Sequence, residues 1–192
     1  MTPGGDVAPY PSELGRAMVG SDGVRLELRA IRADDAPRLI ALHSRLSAQT
    51  IYQRFFSVLR RLPTDWARYL ADVDYCRRLA LVVERDAEGG VELVGVGRYE
   101  PTAMPARAEV AFVIEDRWQG RGLGSALFDA LLAAAEARGI REFCADVLAT
   151  NSRMLDLIAR RARIVERRSD GGVVSLVFVR RSAPPAPPTR RR

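Results

Sequence analysis

Residues 118–125, Trp-Gln-Gly-Arg-Gly-Leu-Gly-Ser, have the composition of an anion-binding turn. They follow an apolar segment, residues 108–114, and lead into a long stretch whose apolar residues recur at helical spacing. The first amides of a helix have no partner within the helix, and the helix dipole adds positive potential there. Glycines let an anion approach closely because they carry no Cβ. The sequence therefore predicts a phosphate-binding turn between a strand and a helix.

Residue type and spacing exclude two common phosphate-binding turns. All 30 lysine-plus-arginine positions are arginine, so the chain lacks the lysine of a P-loop nucleotidase and any lysine for Schiff-base chemistry. A dinucleotide-binding turn needs Gly-x-Gly-x-x-Gly, but Gly124 comes one place early and Ser125 holds the required position. Residues 115–119 also separate the predicted strand from the glycines, which further weakens a dinucleotide interpretation.

The pattern that remains is Gln/Arg-x-x-Gly-x-Gly/Ala, which Gln119, Gly122 and Gly124 match. This pattern resembles the acetyl-CoA loop of the GNAT superfamily of N-acetyltransferases. Residues 108–114 and 118–124 together are similar in particular to the bacterial protein-lysine (Pat-type) branch. The resemblance implies an enzyme that moves an acetyl group from acetyl-CoA to an amine, with a protein lysine as the expected acceptor.

The resemblance also implies where coenzyme A would bind. The diphosphate is expected on the glycine turn, and the pantetheine arm along the exposed backbone that ends the preceding strand. The implied coenzyme-binding residues are Phe112, Val113, Ile114, Gln119, Gly120, Arg121, Gly122, Leu123, Gly124, Ser125, Asn151 and Met154. Asn151 has a second interpretation, as the N-cap of the following helix. No metal is expected, because one histidine and two scattered cysteines cannot build a zinc site.

Acyl transfer to an amine needs a group that removes a proton, since an ammonium has no lone pair with which to attack. Strand alternation places Glu109, Ala111 and Val113 on one face, where we expect the carboxylate to be partly desolvated and its pKa raised. The resemblance assigns the general base to Glu109, ten residues before Gln119. Glu100, at the end of the preceding predicted strand, is the competing carboxylate.

Other residues near the predicted site are given smaller roles. Glu115 and Asp116 would repel a diphosphate, so we expect them to point away from it. Many GNAT enzymes carry a tyrosine on the helix after residue 151 that protonates the leaving thiolate. Here that segment reads Leu157, Ile158 and Ala159, so no side-chain general acid is expected.

The elements that would position these residues follow the order β-α-α-α-β-β-β-α-β-α-β-β. Periodicity and turn residues predict strands at residues 24–29, 79–84, 91–99, 107–114, 143–148, 164–168 and 173–179. They predict helices at residues 34–46, 47–56, 65–73, 125–138 and 151–161, with Thr64 capping the third. This is the element order of the GNAT fold. We therefore predict an α/β (α+β) domain whose mixed, mostly antiparallel sheet has about seven strands and is splayed at the cofactor site.

Composition sets the limits of the domain. Residues 1–22 are predicted to be a flexible lead, residues 23–181 the GNAT domain, and residues 182–192 a disordered tail of proline and arginine. No segment reaches the roughly 18 apolar residues of a membrane span. The first 20 residues lack a basic region followed by an apolar stretch, so a cytoplasmic location is expected. Cys76 and Cys144 are expected to be free thiols.

Three alternatives stay open from the sequence. The acceptor could be a small-molecule amine instead of a protein lysine. Without the tyrosine, the chain could also be a regulator that binds acyl-CoA and does not turn it over. The net charge of +6 suggests an RNA-binding protein. Five of the positive charges lie at residues 180, 181 and 190–192, which argues against nucleic acid as a partner. The sequence does not distinguish a monomer from a homodimer.

Overall fold

The computed structural model describes residues 8–20 and 23–181. Its strands form one sheet, in the order β1-β2-β3-β4-β5-β6-β8-β7. The strands are β1 (Arg16–Val19), β2 (Arg25–Ala30), β3 (Leu79–Ala87), β4 (Gly90–Pro101), β5 (Arg107–Ile114), β6 (Glu142–Leu148), β7 (Ala162–Asp170) and β8 (Val173–Arg180). The helices are α1 (Ala36–Ser44), α2 (Ala48–Phe55), α3 (Thr64–Ala71), α4 (Leu123–Glu136) and α5 (Ser152–Arg161). Every predicted strand and helix is present, and the predicted order of elements is confirmed.

Strand β1 makes the sheet one strand larger than predicted. It pairs antiparallel with β2, with Arg16 opposite Leu28. Residues 8–20 are therefore not the flexible lead that the sequence predicts, and the Tyr10 hydroxyl donates a hydrogen bond to the Ala30 carbonyl at 3.0 Å. The strand was missed because it is only four residues long and mostly exposed, which leaves no alternation to detect. Residues 1–7, 21–22 and 182–192, including the predicted tail, lie outside the described part.

Three helices precede β3, as predicted, with one local difference. Thr64 is the first residue of α3 and not its cap, because Pro63 occupies the cap position and makes no side-chain capping bond. Proline is tolerated there because the first helical amides have no partner within the helix. Helix α2 has a true cap, since the Ser47 hydroxyl accepts a hydrogen bond from the Thr50 amide at 3.2 Å.

The sheet is covered on both faces, as the alternate residues of β3 show. Its alternate residues Leu79, Leu81 and Val83 belong to the apolar core that contains α4. The residues between them, Ala80 and Val82, belong to a second core with α1 and α3. A segment buried on both faces of a sheet is apolar throughout, which matches the continuous apolar sequence of residues 79–83 at the start of β3.

The sheet opens between β5 and β6. These two strands run parallel and pair only from Arg107 to Glu109, opposite Glu142 to Cys144. Beyond Glu109, β6 continues along β8 while β5 stays paired with β4. The backbone edge of residues 110–114 that faces β6 thus has no strand beside it. This separation is the predicted splay, and it leaves a gap in the middle of the sheet.

Two glycines of β4 leave room for the side chains at the open end of β5. Gly97 lies opposite Phe112 in the ladder, and Gly95 lies opposite Ile114. A Cβ built on Gly97 would lie 2.6 Å from the Phe112 ring, closer than real Cβ atoms come to their neighbours. The Phe112 ring therefore occupies the space above Gly97 and packs 5.3 Å, centroid to centroid, from Phe128 of α4.

The substitution Gly97→Ala tests this packing. We expect it to lower the free energy of unfolding by about 1–3 kcal/mol, because the new methyl group must displace the Phe112 ring. Gly89→Ala is the matched control, since a Cβ there meets nothing within 4 Å. Its effect should stay within about 0.5 kcal/mol. Denaturant unfolding measures both values, and equal stability of the two variants would show that Phe112 does not pack on Gly97.

Candidate active site

A cavity of about 1000 Å³ occupies the gap between β5 and β6. Its walls come from β5, the turn that follows β5, β6, α5 and α2. Most of the residues that the sequence singles out are brought together here. Those that line the cavity are Glu109, Phe112, Val113, Ile114, Gln119, Gly120, Gly122, Gly124, Ser125, Asn151 and Met154.

The glycine turn presents open amides to the cavity. Gly120 and Gly122 have φ values of +75° and +83°, a conformation that favours glycine. A Cβ built on either would meet nothing within 4 Å, so the turn has room for a ligand against its backbone. Among the described residues, none accepts a hydrogen bond from the amides of residues 122–125, where α4 begins. These features fit a diphosphate, which needs several donors and close backbone approach.

Gln119 lines the cavity and is also bonded to three neighbouring elements. Its side-chain nitrogen donates to the Ile114 carbonyl at 3.0 Å and to the Thr50 hydroxyl at 3.3 Å. Its side-chain oxygen accepts from Arg153 at 2.7 Å. The side chain therefore ties the turn to the end of β5, to α2 and to α5.

Arg121 and Leu123 are the two predicted coenzyme-binding residues that do not line the cavity. Leu123 is buried in the core beneath α4. The Arg121 guanidinium carbon lies 5.0 Å from the ring centroid of Trp118, which is itself buried. Both residues belong to the turn, and their side chains pack against Trp118 or the core, so part of the turn motif specifies local conformation.

Glu109 lines the cavity where β5 and β6 part. Its side chain is exposed, so the expected partial desolvation is wrong. No other described residue forms a hydrogen bond or an ion pair with its carboxylate. The carboxylate is thus accessible from the cavity and is not committed to another group.

Glu100 lies directly opposite Glu109 in the β4–β5 ladder but is held by two arginines. Its carboxylate accepts from Arg78 Nε at 2.7 Å and from Arg98 Nε at 3.0 Å. It does not line the large cavity. Of the two carboxylates considered from the sequence, Glu109 alone is available to a ligand there.

The two acids after β5 anchor neighbouring elements. Glu115 is buried and pairs with Arg45 at 3.0 Å, so it points away from the turn as expected. Asp116 accepts hydrogen bonds from the Ser47 amide at 2.9 Å, the Ser47 hydroxyl at 2.6 Å and the Thr50 hydroxyl at 2.8 Å. Burial alone would raise the pKa of Asp116, but these bonds hold it below its ordinary value. Although Asp116 borders the cavity, its charge is used to fix the start of α2.

The first turn of α5 forms another wall. The Asn151 side-chain oxygen accepts from the Met154 amide at 3.2 Å, which confirms the N-cap interpretation. Sequence reasoning missed Thr150, Ser152 and Arg153, which also line the cavity. The only signal in the sequence for these three residues is that they lie next to Asn151, the cap of α5.

Helix α2 lines the cavity along its length, from Gln49 and Thr50 near the glycine turn to Arg54, whose charge interacts with that of Glu109. Aromatic residues stand at positions 52, 55 and 56 of this segment, and two of them, Phe55 and Phe56, line the cavity. Tyr52 is exposed beside it. Gln49, Gln53 and Arg54 line the cavity as well and were not predicted. They are polar residues of an amphipathic helix, and the sequence offers no signal that separates them from a solvated face.

The two cysteines and the single histidine do not line the cavity, although Cys144 is the ladder partner of Glu109. Cys76 and Cys144 are free, as expected, and burial raises the pKa of the Cys144 thiol. The single histidine, His43, is buried, and its burial lowers its pKa. None of the helices described has the length and apolar character needed to cross a membrane.

Comparison with known proteins agrees with this geometry. Residues 25–161 match the family described as "Acetyltransferase (GNAT) domain". The chain is 35% identical over 154 residues to Acetyltransferase Pat of Mycolicibacterium smegmatis, covering 79% of this chain and 45% of that protein. It therefore spans less than half the length of that relative.

Solved structures extend the comparison. The crystal structure of the GNAT domain of S. lividans PAT matches with a TM-score of 0.78 and 34% identity, covering 89% of this chain and 99% of that one. The structure of yncA from Salmonella typhimurium with its cofactor acetyl-CoA matches with a TM-score of 0.62, covering 84% of this chain and 98% of that one. At 15% identity, the second match shows the shared fold alone. The chain belongs to the GNAT family of acetyltransferases, which use acetyl-CoA as the acetyl donor.

Proposed function

We propose that this chain is a protein-lysine N-acetyltransferase in which Glu109 is the general base. The observation that carries the proposal is the position of Glu109. It is an uncommitted carboxylate in a cavity whose other end is a turn of open amides. The relatives named Pat support the same branch of the family.

Acetyl-CoA supplies the reaction with an activated acetyl group, held as a thioester. In the proposal the amides of the glycine turn hold its diphosphate, while Gln119, Arg121 and Leu123 support the turn from behind. The unpaired backbone of β5 holds the pantetheine arm, flanked by Asn151 and Met154. The residues assigned to the coenzyme are thus Phe112, Val113, Ile114, Gln119, Gly120, Arg121, Gly122, Leu123, Gly124, Ser125, Asn151 and Met154.

Glu109 has the access that proton removal requires. An incoming lysine is an ammonium at neutral pH and must lose a proton before it can attack. An exposed carboxylate with no ion-pair partner can take that proton directly or through a water molecule. Leu157 and Ile158, on the α5 side of the cavity, carry no proton to donate. We propose that the departing thiolate takes its proton from water.

An exposed apolar surface next to the cavity favours a protein acceptor over a small amine. Phe56 and Phe55 line the cavity, and the Phe55 ring stacks on Trp66 of α3 at 6.2 Å. Tyr52, Phe56 and Trp66 are each at least 40% exposed, so apolar surface continues outward from the cavity. Such a surface, continuous with the site, suits the contact area of a folded substrate around its lysine. A cytoplasmic location is part of the same proposal.

Binding of the coenzyme can be tested with two glycines that flank α4. Gly122 and Gly139 both have a positive φ, and a Cβ on either meets nothing within 4 Å. Alanine at each position should therefore destabilise the fold by about 1 kcal/mol. Only Gly122→Ala places a methyl group against the open amides. We expect it to weaken CoA binding about tenfold or more, measured by calorimetry.

Gly139, at the other end of α4, is the matched control for backbone strain. Gly139→Ala should bind CoA as the wild type does. Equal CoA affinity of the two variants would contradict the assignment of the turn.

The role of Glu109 is tested by Glu109→Gln, which keeps the shape of the side chain but cannot take a proton. We expect kcat to fall by about 10²–10⁴ while the affinity for acetyl-CoA stays unchanged. Release of the CoA thiol measures turnover.

Glu100→Gln is the comparison, because it alters the opposite carboxylate of the same ladder. It should lower the melting temperature, since two arginines lose a charged acceptor, and keep most of the turnover. A larger loss of kcat in the Glu100 variant would reverse the assignment. If the wild type binds acetyl-CoA but acetylates no amine, the result contradicts catalysis and favours a regulator that binds acyl-CoA without turning it over.

A further inference from the structure

Arg54 differs from the other buried or half-buried arginines around it. Arg29 donates to Asp35 at 2.7 Å, and Arg78 and Arg98 both donate to Glu100. Among the described residues, none accepts a hydrogen bond from the Arg54 guanidinium or forms an ion pair with it. Its Cζ lies 5.0 Å from the ring centroid of Phe55, a contact that does not neutralise charge.

Arg54 nevertheless lies in the site. It lines the cavity from the last turn of α2, at the same end as Glu109. The side chain is half-buried, and burial lowers its pKa to about 10. The nearby charge of Arg98 lowers the pKa further, while Glu109 and Glu100 partly offset the effect. The group is therefore still a cation at neutral pH.

A partly desolvated cation without a bonded anion is an unfavourable arrangement that a ligand can relieve. The guanidinium fork matches the geometry of a carboxylate, which can accept two parallel hydrogen bonds. A dianionic phosphate would be repelled more strongly than a carboxylate by the neighbouring charge of Glu109. The glycine turn that suits phosphate lies at the other end of the cavity. The chemistry at Arg54 thus favours a carboxylate of the acceptor.

We propose that Arg54 binds a carboxylate carried by the acceptor close to the amine that is acetylated. This inference rests on the proposed function, because it takes Glu109 as the base that marks the amine position. In a protein acceptor the carboxylate would be an aspartate or glutamate beside the target lysine. In a small acceptor it would be the carboxylate of an amino acid.

The experiment compares a pair of short peptides with one lysine each, flanked by glutamate in one and by glutamine in the other. With the wild type, we expect kcat/KM for the glutamate peptide to be about tenfold to a hundredfold higher, as for a charge-assisted hydrogen bond. Arg54→Gln should bring the ratio close to one, mainly through KM. Arg54→Lys should give an intermediate ratio, because an ammonium keeps the charge without the fork. If the acceptor is a small molecule, the same comparison of kcat/KM is made between free lysine, which carries an α-carboxylate, and lysine α-amide, which does not.

Arg60→Gln is the matched control, since Arg60 is an exposed arginine beyond the end of α2 and does not line the cavity. It removes the same charge and should keep the wild-type ratio. Thermal unfolding with CoA present verifies that each variant is folded and loaded.

Two kinds of failure are distinguishable. Turnover of both peptides with the same ratio in wild type and Arg54→Gln overturns the role of Arg54 and leaves the proposed function intact. No thiol release by the wild type with any acceptor contradicts the proposed function. In that case the equilibrium affinities of the two peptides for the CoA-loaded protein test whether Arg54 binds a carboxylate. No preference for the glutamate peptide, or no binding of either, overturns it.

Discussion

The early separation of β6 from β5 is the constraint on which the site depends. A strand normally pairs along its length, because unpaired backbone groups are unfavourable when buried. Here the pairing stops at Glu109, and β6 stays with β8. The remaining backbone of β5 is then available to a ligand that can supply the missing hydrogen bonds. The same break puts Glu109 at the point where the two strands diverge, so one feature creates both the groove proposed for the coenzyme and the access to the carboxylate proposed as the base.

The glycine turn and helix α2 are connected by a network of hydrogen bonds. Asp116 binds the Ser47 amide and both hydroxyls at the start of α2, and Gln119 links Thr50 to the end of β5. A displacement of the turn would therefore move α2, which carries Arg54 and Phe55 into the cavity. The motif glutamine is explained by this connection as much as by any contact with coenzyme A. Precise relative placement of the two substrates is what a direct transfer reaction needs.

The sequence predicts the fold well because its local signals agree with the tertiary structure. The continuous apolar run of residues 79–83 identifies β3, and the glycine turn identifies the start of α4. Strand β1 could not be found, since a short exposed edge strand has no apolar pattern. The availability of Glu109 over Glu100 also could not be found, because it depends on Arg78 and Arg98, which approach Glu100 in three dimensions. Arg54 was missed for a related reason, since lack of a partner is not visible in a sequence.

The central claim is that the amides of the glycine turn and the unpaired edge of β5 are the surface that holds coenzyme A. Hydrogen–deuterium exchange of individual amides, measured with and without CoA, tests it most directly. The account predicts that CoA slows exchange at residues 112–114 and 120–125, while the amides of the β7–β8 hairpin are unchanged. Tight binding of CoA with no protection of either segment would contradict it.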